Sequence, residues 1–135
     1  DMAGLLKPQA ATKLIGALRK AYPDIPIHLH THDTAGTGLA TYIAAAEAGA
    51  DVVDCAIDAM SGLTSQPSMG AFVNAMMGHP LDTQINPASL TPINDYWELV
   101  RRLYSPFESA MRAGSSDVFI HEMPGGQYTN LQFQA

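Results

Sequence analysis

The chain has 135 residues, one ordinary domain by length, and its 47% hydrophobic against 15% charged residues exclude a disordered segment. Thirteen Asp and Glu against seven Lys and Arg leave a net charge of -6, a balance that repels phosphate backbones and argues against nucleic acid as a partner. No apolar run approaches the ~20 residues that span a bilayer, so no membrane partner is expected, and a single cysteine, Cys55, suits a reducing compartment such as the cytoplasm or the mitochondrial matrix.

In chain order, the first predicted element is a helix over Pro8 to Tyr22. Pro8 suits the first helical position, Ala11, Leu14, Leu18 and Ala21 recur at helical spacing, and Pro23 stops the run. A strand follows over Ile25 to Thr31, then a turn at Gly36 and Gly38, a helix over Leu39 to Glu47 and a second strand over Asp51 to Ile57. Ser68 reads as the N-cap of a helix over Met69 to Met77 that Gly78 and Pro80 end. His79 to Leu90 is a connecting loop. Thr91 and Pro92 open a long helix whose apolar face is Trp97, Val100, Leu103, Tyr104 and Phe107, kinked at Pro106 and closed at Gly114. The tail carries a turn at Pro124-Gly125-Gly126 and then a last helix opening at Asn130.

Two strands one βα unit apart, with a helix between them, indicate an α/β fold with a parallel sheet. A closed (β/α)8 TIM barrel needs roughly 250 residues, so the chain is expected to be a slice of one. The absence of a leading Met before Asp1 and a stop at Ala135 in mid-pattern point the same way.

The chemistry concentrates at His28-Leu29-His30-Thr31-His32-Asp33. Alternation on a strand puts His28, His30 and His32 on one face, with same-face neighbours roughly 6–7 Å apart at Cα. Two such imidazoles can converge on one divalent ion, and imidazole suits Zn, Mn, Fe or Ni. Barrel sites lie at the C-terminal ends of strands, which favours His30 and His32 as the metal pair over the deeper His28. Asp54 and Asp58 share a face of the next strand, where either could orient a ligand histidine or be satisfied by backbone donors. Cys55, on the opposite face, reads as a small buried residue and not as a nucleophile.

Four stretches together resemble a known family. They are Asp1-Met2-Ala3-Gly4-Leu5-Leu6-Lys7-Pro8, His30-Thr31-His32-Asp33-Thr34, Met60-Ser61-Gly62-Leu63-Thr64-Ser65-Gln66-Pro67-Ser68 and Pro124-Gly125-Gly126-Gln127-Tyr128-Thr129-Asn130-Leu131. In this order they are similar to the carboxyltransferase domain of the biotin-dependent carboxylases. Gly-Gly-Gln-Tyr-Thr-Asn-Leu looks like the pyruvate-carboxylating branch, whereas the decarboxylase and transcarboxylase relatives usually carry Gly-Gly-Met there. Hydroxymethylglutaryl-CoA lyase shares the His-x-His strand but not the helical tail.

The resemblance implies a barrel portion over residues 1–78 and the start of a helical extension over residues 79–135. It implies a divalent metal, zinc or manganese, held at the positions of His30 and His32 together with an aspartate and a carbamylated lysine that lie upstream of Asp1. Lys7 is not that lysine; it precedes the first helix and reads as a surface residue. It further implies a reaction in which carboxybiotin, loaded with ATP on another domain, gives its CO2 to pyruvate to form oxaloacetate. A threonine matching Thr129 carries the proton in that reaction. Without the resemblance, Thr129 reads as the N-cap of the helix at Asn130. The implied partners are pyruvate, carboxybiotin, the remaining domains of a longer parent chain and further copies in a tetramer. Two other readings are open: a biotin-dependent decarboxylase or transcarboxylase subunit, and a non-catalytic scaffold fragment.

Overall fold

A computed structural model describes residues 1–135. Helix α1 (Pro8–Ala21) starts on a proline at its first turn, carries Arg19 and Lys20 in its last turn and ends where Pro23 follows. Its buried stripe is Ala11 and Ile15, one turn apart, while Leu14 and Leu18 lie outward. The helical periodicity of the sequence is therefore real, but the inner face is rotated towards Ile15. That face packs on α2 (Gly38–Glu47), which buries Thr41, Tyr42 and Ala45.

Between these helices runs β1 (His28–Leu29), paired in parallel with β2 (Val52–Val53) in the register His28 with Val52 and Leu29 with Val53. The βαβ order and parallel pairing match the sequence expectation. The strands are shorter than expected, although bonds between the two segments reach one residue past their ends. The Ile27 carbonyl accepts from Asp51 and Val52 and the Leu29 carbonyl accepts from Asp54, at 2.9, 3.2 and 3.2 Å. Beyond this point the His30 carbonyl accepts from the Asp1 nitrogen at 2.8 Å, and Ala56 turns to Pro67 and Met69 instead. The sheet is thus flanked by the first residues on one side and by a parallel bridge from Ala56 to Ser68 on the other.

Leu29 faces inward, onto Ala11, Ile15, Tyr42, Ala45, Phe72 and Met76, while His28 faces out. Alternation along the strand separates core from chemistry. Tyr42 is fully buried and edge-on to Phe72, with ring centroids 6.3 Å apart. Its hydroxyl accepts from the Thr31 N–H at 3.0 Å and donates to the Thr31 carbonyl at 3.3 Å. Burial pushes this phenol up to about 12, so it stays a neutral donor and acceptor.

At the other end of the strands Arg19 closes the layer. Its guanidinium donates to the carbonyls of Gly49, Pro23 and Ile25 and to the Asp51 carboxylate, fastening the ends of α1 and α2 to the starts of both strands. Helix α3 (Met69–Ala75) is capped as the sequence suggested, with the Ser68 hydroxyl accepting from the Ala71 N–H at 3.0 Å.

The second half departs from expectation in three places. Helix α4 (Thr91–Tyr104) ends ahead of Pro106, and residues 105–107 form a single 3₁₀ turn. Proline here stops the helix instead of kinking it, since it has no N–H to continue the ladder. The apolar face of α4 has few partners, and Leu103, like Phe107 in the turn that follows, is about three-quarters exposed. A short helix α5 (Val118–His121), absent from the sequence reading, stands before α6 (Gly125–Gln134). Pro124, Gly125 and Gly126 form the cap and first turn of α6, not a separate turn. This removes the N-cap reading of Thr129, which lies inside the helix and donates to the carbonyls of Gly125 and Gly126 at 3.2 Å.

Only 20 of the 135 residues are buried, and large apolar side chains such as Leu103, Phe107, Ile120 and Phe133 stand exposed. The 135-residue segment alone is expected to melt in a broad or absent calorimetric transition with dye binding, and a sharp unfolding peak would contradict this. In the intact protein Tyr42→Phe leaves the buried Thr31 amide and carbonyl without partners, at a cost of about 2 kcal/mol. Hydrogen exchange should show this as faster exchange at the Thr31 amide, with α1 amides unchanged.

Candidate functional site

The exposed face of β1 and its continuation presents three imidazoles, and each meets a different acceptor. His28 Nε2 lies 2.7 Å from Asp54 Oδ1, His30 Nδ1 lies 2.8 Å from Asp54 Oδ2, and His32 Nδ1 lies 2.6 Å from the Thr64 carbonyl. A carbonyl can only accept, so His32 carries its proton on Nδ1. The two histidine hydrogen bonds, His28 first, hold the Asp54 carboxyl below the usual carboxylate range, so it too is an acceptor. His30 therefore donates from Nδ1. Both rings are left with their Nε2 lone pairs free.

Those two lone pairs face the same group. The Gln66 side-chain nitrogen lies 3.5 Å from His30 Nε2 and 3.4 Å from His32 Nε2, and the ring centroids are 5.3 Å apart. A metal ligand histidine typically donates its other ring N–H to a carboxylate or a carbonyl, which fixes the tautomer and aims the lone pair. His30 and His32 have that arrangement with both free nitrogens turned to one point, whereas His28 donates to Asp54 through Nε2 itself and makes no contact with that point. The donor set suits a divalent ion bound through two imidazoles. No group of three or more His, Cys, Asp or Glu side chains in the chain is arranged to hold one.

Four aspartates build the scaffold beneath these rings. Asp1 accepts from the N–H groups of Ala3, Gly4 and Leu6 and from the Thr31 hydroxyl, tying the first residues to the centre of the His-Thr-His stretch. Gly4, at φ +74°, lies so close to the His32 carbonyl that a Cβ there would come within 2.5 Å of its oxygen. Asp33 accepts from Gly38 N–H at 2.8 Å and opens α2. Asp54 orients His28 and His30. Asp58, the other candidate for that task, instead accepts from Ser68 Oγ and the Gly70 N–H at 2.7 Å each and braces α3.

Residues 61–66 deliver the remaining contacts. Gly62 and Leu63 both adopt positive φ, +77° and +53°, and for leucine this costs about 1–3 kcal/mol. The turn is closed by Ser65 N–H to Gly62 O and by Gly62 N–H to Gln66 O, and it is pinned by Asp33 N–H to Ser65 O, each at 2.8 Å. Gly125 packs on Thr64, where an added Cβ would meet the threonine methyl at 2.8 Å, so α6 begins against the loop that holds His32.

Other sequence candidates sit apart. Cys55 is half-buried with its thiol pushed up to about 11 by desolvation, which leaves it inert at neutral pH. The Lys7 ammonium rests 4.4 Å from the centroid of Phe119, joining the entry of α1 to α5. Thr129 makes no hydrogen bond to the histidines or to Gln66. Tyr42, the Thr64 carbonyl and Gln66 were not singled out from sequence. A main-chain carbonyl has no sequence signature, and only the spacing of Gln66 within Thr64-Ser65-Gln66-Pro67 could have drawn notice to it.

Comparison with known proteins places this geometry. The HMGL-like family model matches residues 1–96, ending before the tail that carries Gly125 to Leu131. Pyruvate carboxylase 1 of Caenorhabditis elegans is 60% identical over the whole chain, and the mitochondrial pyruvate carboxylase of Rattus norvegicus is 56% identical. The chain spans 12% of the length of each. The carboxyl transferase domain of Rhizobium etli pyruvate carboxylase, solved with 3-hydroxypyruvate, superposes with a TM-score of 0.96 at 55% identity, over all of this chain and 23% of that one. The same domain with pyruvate and biocytin gives 0.96 at 55% identity, over all of this chain and 22% of that one. The chain belongs to the HMGL-like family, and what it matches from end to end is the carboxyltransferase segment of the pyruvate carboxylases.

Proposed function

We propose that this chain forms part of a carboxyltransferase active site in a longer protein, one that moves CO2 from carboxybiotin to pyruvate to give oxaloacetate. The observation that carries this reading is the convergence of His30 and His32 Nε2 on one point, within a chain 55% identical throughout to a carboxyl transferase domain solved with pyruvate and biocytin. Residues 1–78 are then a slice of a (β/α)8 barrel, and residues 79–135 begin the helical extension. Biotin carboxylation with ATP belongs to other domains of the longer protein.

In this reading His30 and His32 hold a divalent ion, zinc or manganese, through Nε2, with further ligands from outside the chain. Such an ion supplies Lewis acidity toward the oxygens of a keto acid. The work of this chain's own residues is orientation. Asp54 and the Thr64 carbonyl fix both rings from behind, and Tyr42 fixes the backbone between them. The reaction removes a proton from the pyruvate methyl group, breaks the N–C bond of carboxybiotin and forms a C–C bond. Biotin's ring nitrogen ends protonated.

In the full-length protein His30→Ala and His32→Ala should each lower bound metal and oxaloacetate synthesis together, while ATP-dependent carboxylation of biotin continues. His28→Ala should retain the metal, since its ring does not face the point on which His30 and His32 Nε2 converge. Elemental analysis of the three purified variants checks this, and equal loss at His28 would show that the wrong pair had been chosen.

The proton-carrier role that resemblance implies for Thr129 would require its hydroxyl to leave the Gly125 and Gly126 carbonyls. The geometry favours a supporting role in α6. Thr129→Ala is accordingly expected to keep carboxyl transfer within a few-fold of wild type and to cost under ~1 kcal/mol. Loss of transfer with biotin carboxylation and melting temperature unchanged would restore the relay assignment.

A further inference from the structure

Gln66 stands in front of both rings. Its amide nitrogen faces the two Nε2 atoms at 3.5 and 3.4 Å, and the Ser65 hydroxyl donates to its Oε1 at 3.3 Å. The two ring lone pairs set the amide with its hydrogens towards them, and its oxygen then faces the Ser65 hydroxyl. One NH2 group has two hydrogens, and the facing rings offer two lone pairs. The match is one of number as well as direction.

The loop that places this side chain is held tightly. Gly62 N–H bonds the Gln66 carbonyl, Asp33 N–H bonds the Ser65 carbonyl, and Leu63 keeps a left-handed backbone. The same loop presents the Thr64 carbonyl to His32. One short turn therefore addresses His32 from both ring nitrogens, and reaches His30 from its front.

An ion bound by imidazole sits about 2.0–2.1 Å from each nitrogen for zinc. It must use the same two lone pairs that the amide hydrogens approach. Ion and amide hydrogens cannot share them. We propose that Gln66 is a positioning residue of this centre: its amide keeps the His30 and His32 rings in register in the absence of an ion, and ion binding displaces it. This rests on the metal reading of the two histidines given above.

The test uses the full-length protein, stripped of metal with a chelator and titrated with zinc alone in competition with a fluorescent chelator. Gln66→Leu keeps the size of the side chain but removes both hydrogens. Its zinc affinity should rise about tenfold, because two weak neutral hydrogen bonds no longer oppose the ion. Gln66→Glu puts a carboxylate at the same reach and should also bind zinc more tightly than wild type. Thermal melts of both variants confirm folding, and the glutamate variant keeps the question decidable if leucine disturbs the loop. Affinity of a folded Gln66→Leu within twofold of wild type, or weaker, overturns the displacement role. His30→Ala and His32→Ala are run alongside. If their zinc affinity equals that of wild type, the metal reading itself fails and the role of Gln66 falls with it.

Discussion

The bond pair between the Tyr42 hydroxyl and the backbone of Thr31 governs this structure. Thr31 lies between the two imidazoles that face Gln66, past the point where the β-ladder has ended. Its N–H and carbonyl are buried and would be costly to leave unpaired. A phenol from α2 serves both at once, and it can do so only as a neutral group, which burial ensures. The Thr31 hydroxyl is meanwhile held by Asp1. The segment that carries the chemistry is thus held by side chains at the place where a longer strand would have held it by sheet bonds.

Around that centre the carboxylates divide into separate tasks. Asp1 gathers a turn of N–H groups, Asp33 opens α2, Asp58 braces α3, and Asp54 alone turns to the histidines. Six of the thirteen acidic side chains, Asp51 and Asp82 among them, act locally as backbone acceptors or ring acceptors while keeping their charge. The ring pair receives its orientation from two unlike acceptors, a carboxylate behind His30 and a main-chain carbonyl behind His32.

The first half of the chain was largely legible from its sequence. Pro8, Ser68 and the βα rhythm are local signals, and they gave helices within a residue or two. The alternation in His28 to His32 separated the exposed rings from Leu29 correctly. The second half was less legible, for physical reasons. Pro106 interrupts an apolar stripe that continues past it, so periodicity alone extended α4 too far. Gly125 and Gly126 look like a turn because glycine is common in turns. Here Gly125 is required by close packing on Thr64, which no local pattern encodes. Of the site, the two imidazoles could be read from their spacing. Their supports could not, since a carbonyl, a phenol from another helix and an amide 34 residues beyond His32 are brought together only by the fold.

The segregation of Leu29 and the histidines onto opposite faces has a consequence for how such a site changes over evolutionary time. Substitutions among the rings alter no packing contact of Ala11, Ile15, Tyr42 or Phe72. Chemistry and folding are therefore exposed to selection through different side chains of one short segment. A lineage can exchange what the outward face binds while the inward face continues to meet the same helices, and mutations on the two faces should combine with little interference except at Tyr42, whose hydroxyl reaches the backbone between the rings.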